Sequence, residues 1–192
     1  RDSAARYARE PDFRDWSDRL EIYGLDLRHT PSVEAFCLQL LETRDRLDFI
    51  INNACQTVRR PPDFYQHMMV NETAALSEMP EHVRSLLGSY EGLRGYHILP
   101  ESNSLTAVAG LTRVAQLSQV RLLPEELEAQ KGLFPEGCLD QDLQQVDLRE
   151  RNSWRLMMAD VSSVELLEVH LVNAVAPFII NARLKPLMLR SP

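Results

Sequence analysis

Cysteine is scarce in this chain, and no long apolar run is present. The 192 residues hold three cysteines, Cys37, Cys55 and Cys138, odd in number and widely spaced. They form neither a disulfide framework nor a zinc-ligand pair, which points to a reducing, cytoplasmic setting. No stretch approaches the ~20 consecutive apolar residues of a membrane span. The best candidate, 171–184, is short and broken by Asn173, Pro177, Asn181 and Arg183. No signal peptide is recognisable. The net charge of -7 argues against a nucleic-acid surface. The histidines, at 29, 67, 82, 97 and 170, are scattered and lack the spacing of a metal site. No nucleophile elbow occurs.

What is there has the composition of a soluble globular protein, 44% hydrophobic and 26% charged, in a length that suits one domain. The most informative run is Leu47-Asp48-Phe49-Ile50-Ile51-Asn52-Asn53-Ala54. Four apolar residues in five positions, stopped by two Asn and an Ala, read as a buried parallel strand. Ligands of such sheets sit beyond the carboxyl ends of the strands. The Asn pair therefore reads either as a ligand site or as a plain turn at a strand end.

Three regions follow from the pattern. In residues 1–55, the first nine read as a helix tail stopped at Pro11, and 21–27 as a strand. Thr30-Pro31 opens a helix with Thr as its cap, whose apolar face is Val33, Phe36, Cys37, Leu40 and Leu41. Strand, helix and strand in this order suggest a parallel βαβ unit. Residues 56–153 are punctuated by proline and glycine, with short helices expected at 63–69, 80–87 and 104–119. This stretch reads as a decorating insertion or as a lid over a pocket. Gly92-Leu93-Arg94-Gly95 is read as a turn, and Arg59-Arg60 as a solvated loop or as a contact for a phosphate or an acidic substrate.

Residues 154–188 read as one helix, apolar nearly all round and so buried on both sides, against a sheet and a partner subunit. Pro177 interrupts it and cannot donate to the carbonyl of Asn173 four residues earlier. Either that carbonyl finds another partner, such as an ordered water, or the proline is a tolerated kink.

Taken together these residues resemble the short-chain dehydrogenases/reductases. Asn52-Asn53-Ala54-Cys55 is similar to the family's N-N-A-G motif, and Gly24-Leu25-Asp26-Leu27 to its strand-end Asp. Val172-Asn173-Ala174-Val175-Ala176-Pro177-Phe178 resembles its V-N-x-x-x-P-F helix. The matches fall in family order, over 12–55 and 154–188. The resemblance implies a partial Rossmann-like three-layer α/β/α fold with parallel strands. Residues 1–192 would form a single NAD(P)-binding domain carrying a long, mostly helical insertion at 56–153. It implies NAD or NADP as cofactor and hydride transfer with a carbonyl or alcohol substrate. Asp26 and Leu27 would lie by the adenine, and Asn52, Asn53, Ala54 and Cys55 by the adenosine ribose. Asn173 would be catalytic through a water relay, and the 164–187 helix could pair two copies. Neither nucleic acid nor membrane is expected as a partner.

The departures limit what the chain does alone. Cys55 replaces the family's glycine, so a side chain crowds the backbone's approach to the cofactor. The glycine-rich phosphate turn and the Ser and Tyr-x-x-x-Lys members of the catalytic set are absent; the lysines are Lys131 and Lys185 only. Without that pair proton transfer has no agent. The chain starts at Arg1 without a Met, and an internal piece of a longer enzyme is the simplest expectation. The alternative is a non-catalytic relative or truncated product acting through interaction surfaces. The strand-like runs would be the family's third and fourth, which are not neighbours, so strand edges would stay exposed. The chain alone is expected to be inactive and weakly stable; a sharp cooperative thermal transition would contradict this.

Overall fold

The computed structural model describes residues 1–87, 114–127, 132–141 and 144–191. Among them there is no β-strand, only an isolated antiparallel bridge between Leu139 and Gln145. The expectation of a Rossmann-like α/β/α sheet is therefore corrected: the described fold is helical. The reason is visible in the two runs read as strands. Residues 21–27 and 47–51 lie outside any helix, but no ladder forms beside either. The Ile22 N–H donates to Leu86 O at 2.8 Å, in a helical turn, and the Leu47 N–H donates to Leu187 O at 3.3 Å, at a helix end. Phe49 and Ile51 stay 83% and 85% exposed. An apolar run alone does not reveal whether a neighbouring strand exists to pair with it.

The chain divides into two compact units. The first comprises Arg1–Leu25 and Pro62–Val120, and the second Asp26–Pro61 and Arg121–Pro192. The first unit contains α1 (Asp2–Tyr7), and α2 (Thr30–Thr43) belongs to the second. Back in the first unit follow α3 (Gln66–Thr73), α4 (Glu81–Arg84) and α5 (Val114–Leu117). Its core is Ala4, Phe13, Val83, Leu86 and Leu87. Trp16 packs edge-on against both Phe13 and Tyr7, with ring centroids 5.2 and 6.2 Å apart. The helix expected at 63–69 is present as a 3-10 turn, Pro62–Tyr65, leading into α3, and that expected at 80–87 as the short α4 followed by a 3-10 turn, Ser85–Leu87. Most of that expected at 104–119, with the 92–95 turn, lies outside the described residues.

In the second unit α2 forms as the sequence predicts. Val33 and Cys37 are buried, while Phe36, Leu40 and Leu41 pack partly buried beside them. His29, rather than Thr30, occupies the cap position. The second helix of this unit, α6 (Ser163–Met188), is 26 residues long, and its most apolar window has a mean hydropathy of 1.5. At 1.5 Å per residue it is about 39 Å long, enough by length and composition alone to cross a membrane. It is α-helical only from Ser163; 154–162 hold turns and a short 3-10 helix, Met158–Asp160.

The expectation that this helix is buried all round is also corrected. Leu184 and Leu187 pack on Cys37 of α2, whereas Leu166, Leu167 and Phe178 are exposed. Its other buried positions include Glu165 and Glu168, carboxylates that face protein donors rather than a sheet. Hydrophobicity set the length of this helix, but ion pairs as well as apolar contacts decided which side turned inward.

Candidate functional site

The turn around Asn173 is the unusual feature of α6. Leu171–Val175 is a π-helical turn, and the Ala176 N–H donates to Leu171 O, five residues back. Pro177 follows directly. A missing N–H and a ring that crowds the preceding turn are relieved by inserting one residue, which is how π-bulges arise. The insertion has a geometric effect. Glu168 and Asn173 are five residues apart, about 140° around an ordinary helix, and the wider turn that begins between them reduces this angle.

Alongside lies the extended segment 52–59, running antiparallel to the helix. Asn52 Nδ2 donates to Asn181 Oδ1 at 3.1 Å. Asn173 then binds both backbone groups of Gln56: its Oδ1 accepts from the Gln56 N–H at 2.7 Å, and its Nδ2 donates to Gln56 O at 2.9 Å. Finally Arg59 Nε donates to Glu168 Oε2 at 2.7 Å. Eight helical residues, about 12 Å, separate the first two rungs and are matched by four extended ones, about 13 Å.

Asp26 joins the same helix through an arginine. Arg28 donates from Nη2 to Asp26 Oδ2 at 2.8 Å, from Nε and its backbone N–H to Oδ1 at 3.0 and 2.9 Å, and from Nη1 to Glu168 Oε1 at 2.8 Å. Glu168 is therefore shared by Arg28 and Arg59. Arg59 is buried and also pairs with Glu126, whose Oε2 accepts from the Leu122 and Leu123 N–H groups at 2.8 and 3.1 Å. Next to it, Asp147 pairs with Arg60 and Arg149.

Burial pushes the carboxyls of Asp26, Glu126 and Asp147 up, but hydrogen bonds and charge from their arginine partners outweigh it. All three end below the ordinary range. Arg59 is depressed by burial and raised more by Glu126 and Glu168, so it stays charged. By contrast, burial, with Glu34 nearby, pushes the Cys37 thiol up to about 11, which leaves it unreactive.

Of the residues singled out from sequence, Asn173 lies on α6, Asn52 bonds its Asn181, and Asp26 reaches its Glu168 only through Arg28. Asp26 and Leu27 are half-buried in a turn before α2, and both Asp26 oxygens are taken by Arg28. Asn52, Asn53, Ala54 and Cys55 are exposed, with the Asn53 N–H closing a three-residue turn on Ile51 O at 3.1 Å. Asn173 is a clamp whose amide is used on both sides. Arg59, expected in a solvated loop or against a phosphate or acidic substrate, is instead buried against two carboxylates of the chain itself, Glu126 and Glu168, 67 and 109 residues away. No local signal points to them.

These residues fit a dinucleotide only in part. The exposed 52–55 turn, held by Asn173, presents polar groups at a fixed edge. The carboxylate that would meet the adenosine is already committed to Arg28, and no glycine-rich phosphate turn occurs in the sequence. Among the described residues no group of three ligating side chains could hold a metal. No family model, curated protein or solved structure matches this chain.

The lowered carboxyls set the acid response. Unfolding raises their affinity for protons, so the stability they contribute is fully present above the unfolded values of about 4 and is lost as pH falls through the folded ones. Urea midpoints followed by circular dichroism should be flat from pH 7 to about 5 and drop below about 4. A drop confined to the interval between pH 7 and 5 would contradict this assignment.

Proposed function

We propose that this chain carries part of the working site of an NAD(P)-dependent oxidoreductase of the short-chain type, acting on a carbonyl or alcohol. The observation that carries the reading is the clamp of Asn173 on Gln56 at the π-turn. It ties the helix motif to the Asn52-Asn53-Ala54-Cys55 segment, two stretches chosen from sequence independently and 117 residues apart. The nicotinamide supplies the hydride when bound. This chain's part is positional: Asn173 fixes the backbone at Gln56, and so the orientation of the exposed 52–55 turn. Pro177, with no N–H, leaves the Asn173 carbonyl without its usual helical donor, as a proton-relaying water would require. The phosphate turn and the proton donor are not in this sequence, so turnover requires them from elsewhere. Three free thiols accord with a cytoplasmic setting.

A second reading, a non-catalytic interaction protein, draws on the exposed Leu166, Leu167 and Phe178 of α6, a face on which a second copy could pair. The two part on cofactor binding. The protein encoded by the whole reading frame, titrated with NADH and NADPH by nicotinamide fluorescence, is expected to saturate with one of them and to reduce a carbonyl. Asn173→Ala should then lower kcat by about a hundredfold through misplacement of the 52–55 turn. Absence of saturation with both cofactors would rule out the oxidoreductase and leave the interaction protein.

A further inference from the structure

A cleft of about 530 Å³ opens within the second unit, with Leu123, Leu133, Leu148 and Leu156 on its apolar walls and Glu165 among its polar ones. Its size is that of a small-molecule site. The arginines lining it are matched: Arg59 by Glu126 and Glu168, Arg149 by Asp147, and Arg151 by Asp160 at 2.7 Å. Glu165 is not matched. It is only 8% exposed, yet no cation among the described residues pairs with it, and its carboxylate bonds only Ser153 Oγ.

The local sequence makes this unexpected. Ser162-Ser163-Val164-Glu165 is a capping-box pattern, in which the Glu side chain normally returns to the cap residue's N–H. Half of the box forms, since the Glu165 N–H donates to Ser162 Oγ at 3.1 Å. The carboxylate instead turns to Ser153, on the cleft. The first turn of a helix favours negative charge, which accounts for a carboxylate being tolerated there without giving it a counter-ion. Glu150 lies exposed on the same lining and adds to the negative potential.

We propose that this cleft binds a small organic cation, a protonated amine with an apolar body. The ammonium group meets the free oxygen of Glu165, and the body lies against the leucines. An organic anion is disfavoured, because every arginine of the lining already carries a carboxylate. The site does not depend on the dinucleotide reading.

Calorimetric titration of the 192-residue chain with phenethylamine, and separately with phenylacetate, tests it. Phenethylamine is expected to saturate and phenylacetate not to bind. Glu165→Gln keeps the shape and the Ser153 contact while removing the charge, and should weaken the amine by at least about tenfold. Leu148→Lys, at a wall position 56% exposed, leaves Glu165 intact but supplies a competing ammonium, and should weaken the amine similarly. It decides alone if the first variant does not fold. No saturation by the amine, equal binding of phenylacetate, or unchanged affinity in a folded variant would overturn the proposal.

Discussion

Glu168 is the residue on which the second unit depends. One buried carboxylate holds two arginines, Arg28 before α2 and Arg59 after the extended run, and so fixes both ends of the 28–59 segment to α6. A buried ion pair has to overcome a large desolvation cost, and it does so only when geometry is good and the remaining donors are satisfied. Both conditions hold here. Arg28 fills its fork with Asp26 and Glu168, and Arg59 with Glu168 and Glu126. Loss of Glu168 would leave Arg28 with Asp26 alone and Arg59 with Glu126 alone, each with part of its fork unsatisfied. Swapping a whole pair for well-packed apolar residues would cost far less. The network thus specifies one arrangement of chain segments more than it adds stability.

The π-turn does for hydrogen bonds what Glu168 does for charge. In a regular helix Asn173 would lie about 140° from Glu168. The π-turn at Leu171–Val175 narrows this angle, and the 52–59 segment meets both residues. Polar residues of α6 thus hold the neighbouring segment at three points: Asn181 and Glu168 bond the side chains of Asn52 and Arg59, and Asn173 bonds the Gln56 backbone. Leu184 and Leu187 carry α6 into the Cys37 core near one end only, and Leu166, Leu167 and Phe178 stay exposed.

The local features were legible in the sequence. Thr30-Pro31 marks the start of α2 to within a residue and the 33–41 spacing its inner face, and Pro177 marks the irregular turn because its missing N–H is a local fact. Of the motif residues, Asn173 and Asn52 meet α6 directly and Asp26 only through Arg28. What depends on partners far along the chain was not legible. The run 47–51 looks like a buried strand, but pairing is a property of a neighbour, and none among the described residues flanks it. Arg59 looks like a loop arginine until Glu126 and Glu168 are seen beside it. Glu165 follows the capping-box pattern, and only the presence of Ser153 shows why its carboxylate left the box.

Hydrogen exchange at the Gln56 amide tests most directly whether the 52–59 segment is held on α6. That N–H has no secondary structure to protect it, only the Asn173 side chain. It should exchange far more slowly than the amides of Ala54 and Cys55, and the protection should vanish in Asn173→Ala while α2 keeps its own. A Gln56 amide that exchanges as fast as its exposed neighbours in the unaltered chain would contradict the account.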